Sequence, residues 1–214
     1  ETLTLSGMGI LADEHVGVTK SVTLGTLALG DNTGLASNYT FTSGTQTLTV
    51  TQAALTLGSS DVVKTYDANN NAAGTAVVLS GSLFTDDSIS GGTFSFADVN
   101  ADTNKTVNVS AVTVTDGNGG SNYDVTYSAN TTSTINPYVV DLSGSRIYDG
   151  TTDAAAADLV IGTLVGVETL TLSGMGILAD EHVGVTKSVT LGTLALGDNT
   201  GLASNYTFTS GTQT

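Results

Sequence analysis

Cysteine and tryptophan are absent from this chain of 214 residues, proline occurs once, and only five residues are basic. Without cysteine the protein has no disulfide scaffold, no thiol chemistry and no cysteine-based zinc site. The formal net charge of −15 argues against a nucleic-acid partner, because binding to phosphates requires clusters of Lys and Arg. No apolar run approaches the roughly 18 residues that a membrane-spanning helix needs.

Internal repetition dominates what the sequence does contain. Residues 1–47 recur without change as residues 168–214. A weaker repeat inside that period aligns Lys20 with Lys105, so that the period holds two diverged modules of about 80–85 residues. We name the C-terminal part of a module, 1–52, module 1; the complete module, 53–137, module 2; and 138–214, which lacks its last strand, module 3. Pro137 falls at a junction, and we expect the chain to belong to a longer tandem array.

Alternating apolar and Thr/Ser residues predict strands through most of the chain, as in Thr93-Phe94-Ser95-Phe96 and Tyr123-Asp124-Val125-Thr126-Tyr127. Dense Gly/Asn/Asp turn signals separate them. We therefore predict an all-β fold of tandem antiparallel, immunoglobulin-like β-sandwich modules. Alternation breaks between Val109 and Val112, which predicts a bulge or tight turn at Ser110-Ala111.

One Ala-rich stretch, from Asp153 to Val160, leaves a second fold class open. We predict a strand with one helical turn there. The alternative is a short helix packed on a sheet, which would make the fold α+β and β-grasp-like.

A tyrosine follows Ser-Asn once in each module, just before the penultimate strand, at Tyr39, Tyr123 and Tyr206. In immunoglobulin-like domains a tyrosine near this place bonds through its hydroxyl to nearby backbone. These residues are either such corner tyrosines or ordinary half-buried strand tyrosines.

Several short motifs recur in the same order in the modules. Lys64-Thr65-Tyr66-Asp67 and Arg146-Ile147-Tyr148-Asp149-Gly150 stand near the module starts, Ala-Asp followed by Lys stands in the middle, and Ser-Asn-Tyr precedes the last strands. With these motifs the chain resembles the YDG/MBG-type repeat modules of large, hemagglutinin-like bacterial surface adhesins. Module 2 departs from the pattern at Ala68, where the family name has Gly.

The resemblance implies an extracellular protein of the cell surface or biofilm matrix without enzyme activity. We expect a structural stalk or filament repeat that acts as an extended spacer. The alternatives are a glycan- or surface-binding adhesin module and a self-assembling filament subunit that uses strand complementation. The expected partners are neighbouring modules of the same long chain, with possible self-association, no nucleic acid and no membrane span. We interpret Tyr66 and Asp67, with Tyr148 and Asp149, as structural residues of the module joint.

Chemistry-bearing patterns are few. Asp98, Asn100 and Asp102 have the alternate spacing of a calcium loop, although the Gly and Glu of an EF-hand are missing. Calcium is thus a possible ligand, against the alternative of a polar turn, and no other cofactor is expected. No Ser/His/Asp set recurs, because module 2 contains no His. The recurrent lysines, Lys20, Lys105 and Lys187, predict ion pairs to a nearby aspartate such as Asp98, or else an isopeptide crosslink to Asn.

Overall fold

The computed structural model describes residues 1–42, 46–84 and 86–208, and its secondary structure is mostly β. Within these described residues, twenty-one strands follow one another. Strands β1 to β11 are Thr4–Ser6, Ile10–Leu11, Gly17–Thr23, Ala28–Gly30, Thr47–Val50, Ala53–Ser59, Val63–Thr65, Ala76–Ser80, Ser88–Phe96, Asp102–Thr115 and Tyr123–Tyr127. Strands β12 to β21 are Asn130–Asn136, Tyr138–Val140, Leu142–Gly144, Asp153–Ala155, Leu159–Ile161, Thr171–Ser173, Met175–Leu178, Val189–Thr190, Ala195–Gly197 and Tyr206–Phe208.

The described residues contain no α-helix, only 3-10 turns at Ala36–Asn38, Ala156–Asp158 and Ala203–Asn205. The Ala-rich stretch forms strand β15, one 3-10 turn and strand β16, as the sequence predicts. The α+β alternative is therefore not supported, and the predominantly β class is confirmed.

Strand β10 shows how the alternating pattern builds the core. Val107 and Val109 are buried, and so are Val112 and Val114, although the step between the two pairs is three residues. Ala111 accounts for this step, because its φ of 53° lies in the left-handed region. This irregularity returns the next valine to the buried face, at the place that the sequence predicts.

Compact packing divides the chain into two units. Unit 1 comprises Glu1–Leu57, Val78–Gly91 and Val112–Tyr127, and unit 2 comprises Gly58–Val77, Gly92–Ala111 and Ser128–Thr214. Both units draw on more than one module, so the proposed module boundaries stay predictions.

Each unit has its own sheets. Unit 1 contains the sheets β1-β4 and β2-β3-β5 and most of β11-β6-β8. Unit 2 contains most of β7-β12-β10-β9 together with β13-β21, β14-β16, β15-β18-β19 and β17-β20.

The sheets of the described residues are antiparallel as predicted at most strand pairs, and they depart from the prediction at three pairs. Strands β6 and β11 pair in parallel, as do β7 with β12 and β13 with β21. Parallel neighbours need a long crossover, and here most of a module lies between the two paired strands. The first strands of a module therefore lie beside its last strands.

A buried cluster in unit 2 combines residues from modules 2 and 3. Its fully buried members are Val62, Tyr66, Phe96, Val107, Ile135, Val140 and Tyr206. A smaller cluster in module 3 contains Leu142, Ala154, Val189 and Leu194. Because the larger core draws on both modules, the end of module 2 is completed by module 3.

Val107→Ala tests this core. The side chain is fully buried on β10, so its loss should lower the free energy of unfolding by about 2 kcal/mol. Val63→Ala is the matched control, because Val63 lies in the same sheet and is 67% exposed. Chemical denaturation measures both, and equal effects of the two substitutions would contradict this description of the core.

Candidate functional site: a tyrosine–carboxylate joint

Two side chains of Ser-Asn-Tyr in module 3, Asn205 and Tyr206, lie inside unit 2. The carboxylate of Asp198 accepts the backbone N–H of Ala203 at 2.7 Å and closes the turn that starts the 3-10 segment. Strand β21 then begins at Tyr206 and pairs in parallel with β13. In unit 2 Asn205 is 1% exposed and Tyr206 is 5% exposed.

One carboxylate links two tyrosines of different modules. The hydroxyl of Tyr66, in module 2, donates to Oε1 of Glu168 at 2.5 Å, and the hydroxyl of Tyr206 donates to Oε2 at 2.6 Å. The two rings meet edge to face with centroids 5.6 Å apart. Edge-to-face pairing is a favoured aromatic geometry, so the contact combines apolar packing with charge-assisted hydrogen bonds.

A turn holds the carboxylate in place. The N–H of Glu168 donates to the carbonyl of Val165 at 3.2 Å, and the N–H of Val165 donates to the Tyr206 hydroxyl at 3.2 Å. The hydroxyl thus both donates and accepts, as a buried polar group should. Its partners lie 38 and 41 residues upstream, which differs from the predicted corner geometry, where the hydroxyl bonds to nearby backbone.

The site keeps both tyrosines in the neutral form. Burial, followed by the hydrogen bond to Glu168, raises the pKa of Tyr66 from 10.0 to about 12. The same two causes raise the pKa of Tyr206 to about 12. The phenolate of either tyrosine would be a second anion beside Glu168, which explains why both pKa values are raised.

Asn205 makes a second connection between modules 2 and 3. Its Oδ1 accepts the N–H of Ala101 at 2.7 Å, and its Nδ2 donates to Oδ1 of Asn100 at 3.1 Å. Sequence analysis missed this residue as a site. Its recurrence beside the tyrosine in every Ser-Asn-Tyr motif could have indicated that the asparagine belongs to the site.

Unit 1 repeats this connection between modules 1 and 2. Oδ1 of Asn122 accepts the N–H of Val16 at 3.0 Å, and Nδ2 of Asn122 lies 3.1 Å from Nδ1 of His15. Since Oδ1 already accepts N–H groups from Val16 and Asn118, Nδ2 is the donor and the imidazole nitrogen is the acceptor. The asparagine of Ser-Asn-Tyr therefore makes equivalent contacts in two separate joints, as Asn122 in one and as Asn205 in the other.

Tyr123 also has the same kinds of hydrogen-bond partner as its counterpart Tyr206, a carboxylate and a backbone N–H. Its hydroxyl donates to Asp87 and accepts the N–H of Phe84 at 2.9 Å. Asp87 follows Phe84 by three residues and its N–H donates to the Phe84 carbonyl, as in the turn that holds Glu168. Burial, then the bond to Asp87, raises the pKa of Tyr123.

A buried aspartate shapes the loop before Tyr123. Asp116 is 6% exposed and accepts backbone N–H groups from Asn118, Gly120 and Asn122 at 2.7–2.9 Å. Burial opposes ionisation, but these three bonds outweigh it and lower the pKa of Asp116. Gly120 has a φ of 82°, which suits glycine, and the loop so formed presents Asn122 to module 1.

The remaining predicted tyrosines are exposed. Tyr39 belongs to the copy of the sequence around Tyr206, and its hydroxyl donates to Glu1 at 2.7 Å, yet 48% of its surface is exposed. Tyr148 is the counterpart of Tyr66 and is 60% exposed. The structure thus brings Tyr66 and Tyr206 together and leaves Tyr39 and Tyr148 on the surface.

Every basic side chain of the chain forms an ion pair with an aspartate close in sequence. The predicted ion pairs of the recurrent lysines Lys20, Lys105 and Lys187 are confirmed, and a residue with positive φ precedes each of these three lysines. The pairs are Lys20–Asp13, Lys64–Asp67, Lys105–Asp98, Arg146–Asp149 and Lys187–Asp180. The preceding residues are Thr19, Asn104 and Thr186.

The oxygens of the predicted calcium loop already have protein partners. Asp98 pairs with Lys105, a bond that lowers the pKa of Asp98. Asn100 accepts from Asn205, and Asp102 accepts the N–H of Thr103 at 2.7 Å. Within the described ranges no group of three or more His, Asp or Glu side chains is arranged to hold a metal ion. The calcium site stays a prediction.

The raised pKa values predict an alkaline transition. A group whose pKa is higher in the folded state stabilises that state fully below its unfolded pKa, here 10.0, and loses this contribution as pH rises through about 12. Absorbance titration should show Tyr66 and Tyr206 ionising late, and stability should fall between these limits. In urea both should ionise near 10, and Tyr66→Phe should remove part of the late phase. Simultaneous ionisation of all seven tyrosines in the folded protein would contradict the buried site.

Comparison with known proteins bears on the predicted family and function. A family model described as the YDG domain matches residues 51–134 and again residues 131–214. No curated protein and no solved structure matches the chain. Among the described residues, no helix has the length and apolar character to cross a membrane.

This match corrects the predictions that rested on the resemblance to adhesin repeats. The match names no adhesin, and the YDG name is also that of the SRA-YDG domain, which binds DNA and methylcytosine. The predicted adhesin stalk and its two alternatives, the extracellular or biofilm location and the exclusion of nucleic acid therefore do not stand. With two matched copies that together span residues 51–214, the chain belongs to the YDG domain family.

Proposed function

We propose that these YDG domains function as coupled pairs, in which the end of one domain is completed by the next and the two are held in a fixed orientation. The observation that carries this proposal is the shared carboxylate of Glu168, which joins Tyr66 of module 2 to Tyr206 of module 3. Tyr66 and Tyr206 are both buried, so each hydroxyl needs its hydrogen bond to Glu168. Modules 2 and 3 therefore depend on each other for satisfied hydrogen bonds.

The recurrence of the asparagine contact supports the proposal. Asn122 accepts the N–H of Val16, and Asn205 accepts the N–H of Ala101, at equivalent positions of successive modules. Modules 1 and 2 differ in most of their sequence, so the recurrence is a property of the joint. A bond to a backbone N–H is insensitive to side-chain identity, which suits a connection between diverged copies.

The proposal also covers the arrangement of the strands within a module, the absence of a catalytic role and the place of calcium. We propose that each module is an immunoglobulin-like sandwich, which the alternation of apolar and Thr/Ser residues along its strands supports. The role is non-catalytic, because the tyrosines and carboxylates of the joint are committed to one another. A calcium ion at Asp98 would have to displace Lys105 from that carboxylate, so any such site would be an accessory to the joint.

Glu168→Gln tests the coupling. The substitution removes the charge that both tyrosine hydroxyls bond to and should lower the free energy of unfolding by about 2–3 kcal/mol. It should also speed hydrogen exchange at the amide of Val165, which bonds to Tyr206. Chemical denaturation and amide exchange measure the two effects.

The chain supplies an unusually close control. Glu1→Gln changes the same residue in the identical sequence copy, where Tyr39 is its hydroxyl donor and is 48% exposed. Exposed polar contacts contribute little, so the control should change stability by no more than about 0.5 kcal/mol. Equal effects of the two substitutions would show that the carboxylate acts only within its own module, and the coupling proposal would fail.

Nucleic-acid binding is a second candidate function, favoured by the name that the family shares with the SRA-YDG domain. Phosphate contacts require free cations, and all five basic side chains here are paired with aspartates. Any recognition would therefore fall on base edges and faces, through tyrosine, asparagine and backbone groups.

Fluorescence anisotropy with labelled duplex DNA, with and without methylcytosine, tests this candidate. Base-directed binding should depend weakly on salt, because few counterions would be released. Methylcytosine-dependent binding that persists as salt is raised would establish it. Anisotropy that stays unchanged at low salt for both duplexes would eliminate it and leave the coupling function as the conclusion.

A further inference from the structure

The loop between strands β10 and β11 contains the single asparagine of the chain that precedes a glycine, Asn118 before Gly119. In such a pair the backbone nitrogen of the glycine can attack the side-chain amide of the asparagine, because no side chain on the glycine hinders the approach. Gly119 has a φ of 64°, and the space where a Cβ would lie is open. The loop therefore holds an amide that can become a carboxylate without an enzyme.

Hydrogen bonding in this loop leaves the attacking nitrogen free. The carboxylate of Asp116 accepts the N–H groups of Asn118, Gly120 and Asn122 at 2.7–2.9 Å. Gly119 lies between the first two of these donors, and its own N–H has no hydrogen-bond partner in the described part of the chain. Loss of the proton from this nitrogen therefore breaks no hydrogen bond of the fold.

The amide of Asn118 belongs to the contact between modules 1 and 2. Nδ2 of Asn118 donates to Oδ1 of Asn122 at 3.0 Å, and the same oxygen accepts the N–H of Val16 at 3.0 Å. Nδ2 of Asn122 faces Nδ1 of His15 at 3.1 Å and the carbonyl of Asp116 at 3.3 Å. Asn118 thus holds in place the side chain to which module 1 binds.

We propose that Asn118 is a spontaneous deamidation site whose conversion weakens the contact of module 2 with module 1. The backbone nitrogen of Gly119 gives up its proton and forms a bond to Cγ of Asn118. The Cγ–Nδ2 bond breaks, and Nδ2 leaves as ammonia with that proton. Water then opens the succinimide at one of its two carbonyl groups, which gives aspartate or isoaspartate. The effect on the contact rests on the proposed function, whereas the conversion itself does not.

Both products disturb the contact. An aspartate at position 118 sets a carboxylate oxygen against Oδ1 of Asn122, where a donor stood, and adds a second anion beside Asp116. Turning the Asn122 amide over would satisfy the new carboxylate, but it would set Nδ2 against the N–H of Val16 and Oδ1 against the Asp116 carbonyl. Isoaspartate adds a methylene to the backbone and shifts the N–H groups that Asp116 binds.

The corresponding loops of modules 1 and 3 lack this chemistry. They carry Asn32 before Thr33 and Asn199 before Thr200. The branched side chain of threonine hinders attack by its own backbone nitrogen. Asn32 and Asn199 are exposed, so they serve as controls for solvent access within the same chain.

Peptide mapping by mass spectrometry, after incubation of the full chain in mildly alkaline buffer, tests the conversion. Asn118 should gain the mass that replaces an amide NH2 with OH at least about tenfold faster than Asn32 or Asn199. Part of the product should be isoaspartate, which fragment spectra distinguish from aspartate. An amide at 118 that survives in the native chain but converts in urea would overturn the proposal, as would equal rates at the three asparagines.

Asn118→Asp tests the effect on the contact. The amide hydrogen of Val16 should exchange about tenfold faster, because its acceptor is drawn away. Asn118→Ala removes the same hydrogen bond without adding a charge and should have a smaller effect. The amide of Val183, which lies in the identical sequence copy, should respond to neither substitution. Unchanged exchange at Val16 in Asn118→Asp would overturn the effect of deamidation on the contact.

The stability measurements separate this inference from the function on which it rests. If Glu168→Gln destabilises the chain while Asn118→Asp leaves exchange at Val16 unchanged, the coupling stands and its control by deamidation falls. If Glu168→Gln has no effect, the coupling itself falls, and the mass spectra still decide whether Asn118 converts.

Discussion

The half-buried carboxylate of Glu168 is the constraint on which the joint depends. A carboxylate removed from water must find donors, and two tyrosine hydroxyls from different modules supply them. The hydroxyls in turn must be satisfied, which fixes the turn at Val165 and the edge-to-face contact of the rings. Apolar packing around Val107 and Ile135 could tolerate small shifts between modules, but this set of directional bonds permits one orientation.

The identical copies separate the effect of local sequence from that of surroundings. Tyr39 and Tyr206 lie in identical sequences and bond to equivalent glutamates, Glu1 and Glu168, yet Tyr39 is 48% exposed and Tyr206 is 5% exposed. The backbone turns agree as well, with Gly25 and Gly192 both at a φ of 55°. Local sequence therefore determines the turn and the tyrosine–carboxylate bond. Burial, and with it the pKa of about 12 at Tyr206, comes from the residues around the ring, which include Tyr66 of module 2 and Tyr138 of module 3.

This division explains what could be predicted from the sequence. Period-two patterns located the strands, and the broken step before Val112 located the left-handed residue at Ala111, because both effects act within a few residues. The parallel pairing of β6 with β11 could not be predicted, since hydrophobic alternation is the same for either direction. Glu168 was missed because a single acidic residue in an acidic chain carries no signal until its two donors, 38 and 102 residues away, are known. The adhesin function was inferred from resemblance alone, and no contact of the fold could have tested it.

The scarcity of cations accounts for the chemistry of the joint. All five basic side chains are held by aspartates within seven residues, so none is left to bridge one module to another. A protein of net charge −15 that must bring its modules together can then use only neutral donors. Tyrosine hydroxyls, asparagine amides and backbone N–H groups meet that need, and they do so without the desolvation cost of a buried lysine. Screening by salt weakens exposed ion pairs far more than buried hydrogen bonds, so a joint of this composition keeps its geometry as ionic strength changes.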